Sequence, residues 1–302
     1  MNKNYNNMNY ALNVIQWYTR LDVKTAINEQ LTNRELALID KDDSERKKGK
    51  TRSNRYNYST NMKELTGTLF FCGLFTNPTY YNIYKSIATY YSTIGILNKK
   101  NWSINHTKKI NNYDLVIDID PLENTTAGIL EAKEGALLVI KLYDELNIPY
   151  SIKFSGKGFH ITTDGNYIKN TTNISFLMNE ENNVYKLCKQ LQTRMKERIS
   201  CLIDERINEP NRLIKLCYTL SLYPEISNIR VCLPINSHEE LENFHPKKAL
   251  IENFHEKPDP FNKVWQFENV QNIKYSEKTF NKGGCFYNLI ENMELDKEWL
   301  KR

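Results

Sequence analysis

Asp118 and Asp120 stand two residues apart in the segment Asp114 to Asp120, DLVIDID. Leu115, Ile117 and Ile119 alternate with them as in a half-buried strand, so both carboxylates project from one face. Carboxylates crowded on one face repel unless they share a cation or a proton. Mg²⁺ takes hard oxygen ligands and commonly uses one or two carboxylates together with substrate phosphates. A strand-borne Asp-x-Asp is therefore a platform for metal-assisted phosphoryl chemistry, with a solvated strand end as the plain alternative for the pair taken alone.

Downstream lies Ser155-Gly156-Lys157-Gly158-Phe159-His160. Gly156 and Gly158 let the backbone approach an anion closely, and its N–H groups and Ser155 can donate to phosphate oxygens. Lys157 adds positive charge, and His160 can donate from the following strand. A hairpin turn whose glycines serve geometry only is the alternative. Further on, Asp204 follows the apolar run Cys201-Leu202-Ile203, and Arg212 and Lys215 come after it. A third carboxylate would complete a two-metal site, and the two cations would neutralise a triphosphate. Each feature is weak alone, but few unrelated proteins combine all three in one order.

These groups need a scaffold. Leu12, Ile15 and Tyr18 recur at three-residue spacing and predict a helix over Tyr10 to Leu21. Leu36 and Leu38 predict a short strand. The charged, apolar-poor stretch from Lys41 to Arg55 predicts an exposed loop, solvated or, as the sharper alternative, in contact with a nucleic-acid strand. Apolar residues over Met62–Phe75 and Tyr80–Tyr91 predict two helices separated at Asn77-Pro78. An amphipathic helix is expected over Ala127–Leu146, with Ile129, Ala132, Ala136, Val139 or Ile140, and Tyr143 inward. Strands are expected at Tyr150–Phe154, Phe159–Thr163, Cys201–Ile203 and Ile229–Ile235, and another helix at Asn183–Ile199. After Pro246 the pattern loosens into small elements.

The 302 residues, 40% hydrophobic and 25% charged, have an ordinary globular composition and can bury a sizeable core. No apolar run is long enough to cross a bilayer, and the Asn-rich start lacks the apolar stretch of a signal peptide; an intracellular protein with no membrane partner is expected. The six cysteines are scattered singly, which predicts free thiols and no structural zinc. A net charge of +5 suits a polyanionic partner.

The ordered set of motifs resembles the archaeo-eukaryotic primase superfamily, particularly the catalytic small subunit of DNA primase. DLVIDID matches the first motif, FSGKGFHI the second and LIDERINEPNRLIKL the third, while RVCLPI resembles the strand that closes it. Trp17-Tyr18, Arg34-Glu35-Leu36-Ala37 and Tyr84-Lys85-Ser86-Ile87-Ala88 resemble the pattern upstream. The resemblance spans roughly Trp17 to Ile235. It implies an α/β (α+β) primase fold with an RRM-like catalytic half and added helices. Residues 1–245 would form the catalytic core and 246–302 small elements packed on it. The implied activity is template-directed nucleotidyl transfer, making primers for DNA replication by two-metal-ion catalysis. Asp118, Asp120 and Asp204 would be the catalytic metal ligands for Mg²⁺ or Mn²⁺. Ser155, Gly156, Lys157, His160, Arg212 and Lys215 would bind the nucleotide. The implied partners are a single-stranded DNA template, with the Lys41–Arg55 loop and Lys153 as candidates for its phosphate contacts, nucleoside triphosphates and a primase large subunit or helicase.

Three features depart from the family pattern. The turn before His160 is one residue shorter than in eukaryotic small subunits, Ser221 stands where a His is usual, and the cysteine pairs of a zinc-binding insertion are missing. Asp118-Ile119-Asp120-Pro121 also matches the Asp-x-Asp-Pro of end-joining repair polymerases. The competing readings are such a repair polymerase, a non-catalytic nucleic-acid-binding replication protein, and a metal-dependent nuclease.

Overall fold

The computed structural model describes residues 12–31, 33–40, 53–57, 81–90, 110–145, 149–165, 203–204, 207, 212–221 and 229–254. In chain order the helices are α1 (residues 12–19), α2 (Leu21–Glu29), α3 (Thr126–Glu145) and α4 (His238–Glu242). The strands are β1 (Glu35–Asp40), β2 (Ser53–Asn57), β3 (Tyr81–Ser86), β4 (Ala88–Tyr90), β5 (Ile110–Tyr113) and β6 (Leu115–Ile119). They continue as β7 (Ser151–Phe154), β8 (Phe159–Thr163), β9 (Leu213–Lys215), β10 (Leu220–Ser221), β11 (Arg230–Val231) and β12 (Leu233–Ile235). The result is a mixed α/β structure built on small antiparallel sheets.

The strand bearing Asp118 belongs to a four-stranded sheet of order β12-β7-β8-β6. Since β8 is antiparallel to both β6 and β7, those two strands run parallel on either side of it, and α3 makes the crossover between them. Thr125 starts α3 by accepting the Gly128 N–H at 3.1 Å, a side-chain cap on an otherwise unsatisfied donor. The helix buries Ile129, Ala132, Ala136, Val139, Ile140 and Tyr143, the whole face its periodicity predicts. These side chains share one core with Leu115, Ile117 and Ile119 of β6 and with Phe154, Phe159 and Phe244. Val116 is buried too, so β6 is enclosed on both faces and not half-buried as its alternation suggests.

A second core gathers the N-terminal helices around the turn between β9 and β10. Val14, Trp17, Tyr18, Val23 and Ile27 pack with Leu36, Ile83, Leu216, Leu220 and Val231. The predicted helix is present as α1 with Tyr18 inward, but its buried face is Val14-Trp17-Tyr18 and Leu12 is exposed; an i, i+3, i+4 face competes with the three-residue spacing. The indole of Trp17 donates to the Tyr218 carbonyl at 2.8 Å, and the Leu220 N–H donates to the Tyr18 hydroxyl at 2.9 Å. Tyr218 has φ 66°, a left-handed conformation that a residue with a Cβ adopts at a cost of about 1–3 kcal/mol. Its N–H donates to the Cys232 carbonyl at 2.7 Å, so bonds on both sides hold it there.

β1 lies between β2 and β3 in the other four-stranded sheet, of order β2-β1-β3-β9. The strand predicted around Leu36 and Leu38 is present. The loop predicted for Lys41–Arg55 gives way at its end to β2, whose Arg55 pairs with Ala37. The helix predicted over Tyr80–Tyr91 is instead the strand pair β3 and β4. Tyr, Ile and Thr favour pleated backbone, and an apolar run this short cannot separate the two periods. The expected strand at Ile229–Ile235 is interrupted at Cys232, which splits it into β11 and β12. Helices expected over Met62–Phe75 and Asn183–Ile199 lie outside the described residues, as does the chain beyond Phe254. Among the described residues no helix is long and apolar enough to cross a membrane.

Candidate active site

Asp118 on β6 pairs directly with His160 on β8, which places the two side chains side by side. His160 Nε2 lies 3.2 Å from Asp118 Oδ1, but the approach is too poorly aligned for a hydrogen bond. Asp118 Oδ1 and His160 Nδ1 are therefore both buried without a hydrogen-bond partner among the described residues. Asp120, just past the end of β6, accepts from Lys157 Nζ at 3.3 Å. Burial raises the Asp120 pKa, the negative charge of Asp118 raises it further, and Lys157 and His160 only partly offset them.

Asp204 reaches the same strand from the other side. Ile203 bridges Ile119 in antiparallel fashion, and the Asp204 N–H donates to the Asp118 carbonyl at 2.9 Å. In that register Asp204 stands opposite Asp118, on the carboxylate side of the pleat. Among the described residues no three His, Cys, Asp or Glu side chains converge into a group that would hold an ion by themselves. Asp118 and Asp120 nevertheless fit a divalent cation in chemistry. They offer hard oxygens, mutual repulsion and a buried acceptor lacking a donor, and Mg²⁺ ordinarily completes its shell with water and phosphate.

The glycine turn sits between β7 and β8, beside this pair. Ser155 N–H donates to the Gly158 carbonyl at 2.8 Å and closes it. Ser155 Oγ donates to the same carbonyl at 3.1 Å and accepts from the N–H groups of Gly158, at 3.0 Å, and Lys157, at 3.5 Å. One proton and two lone pairs are all a hydroxyl has, so Ser155 spends its capacity inside the turn.

Both glycines are sterically required. Gly156 has φ +95°, and a Cβ there would lie 2.3 Å from Ser221 Cβ and Oγ; one on Gly158 would lie 2.2 Å from the Ile119 carbonyl oxygen. Gly156→Ala is expected to destabilise the protein by about 1–3 kcal/mol in urea denaturation, and Gly156→Ala/Ser221→Gly to recover only part of it. The double change removes the collision but leaves the left-handed φ. Full recovery would mean that the backbone conformation carries no strain.

Behind the turn runs a buried brace. Lys215, 2% exposed, donates from Nζ to the Leu220 carbonyl at 2.9 Å and to Ser221 Oγ at 2.6 Å. Ser221 Oγ donates onward to the Ser155 carbonyl at 3.1 Å, and Arg230, directly opposite Ser221 in the β10–β11 ladder, donates to the Gly156 carbonyl at 3.1 Å. Lys153 is buried as well, with its ammonium on the Lys215 carbonyl, so it does not face a template as the sequence suggested. Lys215 thus reaches the turn through Ser221. Arg212 lies just before β9, its carbonyl accepting from Ile87 N–H at 3.1 Å.

Cys217 and Cys232, both buried and free, lie within the field of these cations. Burial pushes the Cys232 thiol up, but a hydrogen bond with Cys217 and the charges of Lys153, His160 and Lys215 outweigh it and hold the group at about 6. The family pattern marks the place of Ser221, and RVCLPI contains Arg230 and Cys232, but only the pairing of β10 with β11 sets Ser221 and Arg230 beside the turn. The other cysteines lie outside the described residues.

No protein-family profile matches the chain, and no curated protein matches it. Among solved structures it is similar to the polymerase domain of Mycobacterium tuberculosis Ligase D in complex with DNA. That similarity has a TM-score of 0.45 and 13% sequence identity, and covers 94% of this chain and 91% of the other. The function is therefore argued from the carboxylate pair and the turn beside it.

Proposed function

We propose that this chain is a metal-dependent nucleotidyltransferase of the primase-polymerase kind, synthesising primers on a single-stranded DNA template for replication. The observation that carries the proposal is the juxtaposition of Asp118 and Asp120 with His160 and the glycine turn, including a buried carboxylate oxygen that lacks a donor among the described residues. The β6-α3-β7-β8 unit supports it, since two parallel strands flanking an antiparallel one is what an RRM-like catalytic half requires.

Divalent ions, Mg²⁺ or Mn²⁺, held by Asp118, Asp120 and Asp204 would supply a lowered pKa at the attacking 3′-hydroxyl and charge stabilisation at the departing pyrophosphate. Around them, the protein's own groups bind and orient. Lys157 leaves Asp120 for a phosphate oxygen, exchanging one charge-assisted contact for another. The N–H groups of Lys157 and Gly158, which now donate to Ser155 Oγ, turn to a second phosphate oxygen, and the freed Ser155 hydroxyl donates beside them. His160, beside Asp118, donates to a phosphate oxygen of the substrate. Lys215 keeps the turn in place through Ser221 and adds positive potential from behind. Arg212 completes the nucleotide-binding set. A primase large subunit or a helicase would act with the chain at the replication site.

The test is strand synthesis on a single-stranded template with labelled nucleotides and Mg²⁺ or Mn²⁺, with and without a primer. Asp118→Ala/Asp120→Ala protein is the control. Products formed without a primer, and missing from the control, are expected. Extension of primers or filling of short gaps alone would favour the end-joining reading that Asp118-Ile119-Asp120-Pro121 also allows. Degradation of DNA without incorporation would mark a nuclease. Equal DNA binding by both proteins with no incorporation would leave a binding protein.

A further inference from the structure

The β10–β11 ladder brings to the glycine turn the cation that heads RVCLPI, a residue outside the predicted nucleotide-binding set. Arg230 stands directly opposite Ser221, and its backbone is also bridged to Leu250 on the other side, so the strand that carries it is fixed at both edges. Its guanidinium donates from one terminal nitrogen to the Gly156 carbonyl at 3.1 Å. That single bond fixes the plane of the group and leaves most of its donors uncommitted, since a guanidinium has five N–H groups in a rigid fork. Nε is buried with no hydrogen-bond partner among the described residues. No carboxylate among the described residues pairs with Arg230, and burial, the one influence on its pKa, disfavours its charge. A half-buried cation with a spare fork and no counter-ion is costly in the empty protein and becomes favourable when an anion completes it.

The direction of that anion follows from the neighbours. Arg230 and Lys157 flank the turn, and Lys157 lies on the Asp120 side. An anion that spans from the carboxylate pair across the turn would meet Lys157 first and Arg230 at the far end. A monophosphate held at the carboxylates would use Lys157, whereas a longer anion reaching past the turn would use Arg230 as well. We propose that Arg230 is a polyphosphate-binding residue, its fork held on the Gly156 carbonyl to receive the distal phosphates of a nucleoside triphosphate. This rests on the nucleotidyltransferase reading above. It makes Arg230 the residue that distinguishes triphosphates from shorter nucleotides.

Binding to the full chain in Mg²⁺, measured by calorimetry with inorganic tripolyphosphate, a nucleoside triphosphate and the matching monophosphate, tests the assignment. Arg230→Ala is expected to weaken tripolyphosphate and triphosphate about tenfold or more while leaving the monophosphate unchanged. Arg230→Lys should fall between it and wild type. Arg230→Gln keeps a donor for the Gly156 carbonyl and removes the charge, so it should lose triphosphate affinity at an unchanged melting temperature. Wild-type affinity in Arg230→Gln, or an equal loss of mono- and triphosphate binding, would show that Arg230 only supports the turn, and would overturn the proposal while the polymerase reading stands. A wild-type protein that binds neither tripolyphosphate nor nucleotide would sink both.

Discussion

Asp120→Asn protein is expected to lose nucleotide incorporation by roughly a thousandfold, the upper end of what removing one preorganised electrostatic group costs, and yet to melt at a higher temperature than wild type in EDTA. The two effects share one cause. Burial and the charge of Asp118 raise the Asp120 pKa above its ordinary value of 3.8. Between that value and the raised one the native state holds a proton that the unfolded chain has released, so stability falls as pH rises through the window and stays lowered above it. Asn cannot ionise and removes this fall. It also removes the ion pair with Lys157, but with side chains 30% and 43% exposed that contact is partly screened and contributes little. Thermal melts of both proteins across the acid range, without divalent ion, should therefore diverge as pH rises, with the variant above. Adding Mg²⁺ or Mn²⁺ should raise the wild-type melting temperature and leave the variant nearly unmoved. A variant that melts lower than wild type at neutral pH in EDTA would show that Asp120 is held by favourable contacts and not against repulsion.

Asp114→Ala is expected to destabilise the protein by about 3–5 kcal/mol without touching the chemistry directly. Asp114 Oδ2 lies 2.7 Å from an Arg34 terminal nitrogen, and both side chains are almost fully enclosed. Asp114 also accepts the Gly165 N–H at 3.1 Å, while Arg34 donates to the carbonyls of Ser86 and Ile87. One pair thus joins the end of the N-terminal helices, the β3–β4 junction and the start of β6. Removing the acid leaves a buried guanidinium with no counter-charge, which costs more than the pair itself contributes. Arg34→Met/Asp114→Leu should consequently lose less than either single change. Urea denaturation midpoints of the four proteins give the coupling. Additive losses would mean that the two groups are independently solvated.

The β6-α3-β7-β8 unit was legible because its signals were local. DLVIDID alternates, α3 repeats at helical spacing, and the Gly-Lys-Gly turn lies between two short β-rich runs, so β6, α3, β7 and β8 all appear close to their predicted positions. Tyr81–Tyr90 reads as a helix in sequence because its tyrosines and two isoleucines in a ten-residue stretch satisfy either period. What pairs it with β1 is tertiary register, which its own residues do not encode. α2 went unseen because Leu21 is exposed and only Val23 and Ile27 are buried, too thin a stripe to announce a helix. The same holds within the site. Asp118, Asp120 and His160 are brought together by adjacent strands, whereas Ser221 and Arg230 reach the turn through a ladder of two residue pairs formed late in the chain.

The brace also dictates an order of assembly. β6, α3, β7 and β8 lie within residues 115–163 and contact one another at short range, so this unit can collapse as soon as it is made. The Trp17–Tyr218 and Tyr18–Leu220 bonds, by contrast, close loops of 201 and 202 residues, and the Ser221–Ser155 bond one of 66. Contacts so distant form after the local unit, and loop closure must be met before they stabilise anything. The carboxylate pair is accordingly in place while the glycine turn is still unbraced, and the chain acquires the face proposed to hold metal before the pocket proposed for the nucleotide. Nascent chains halted between residues 163 and 218 would carry the first and lack the second.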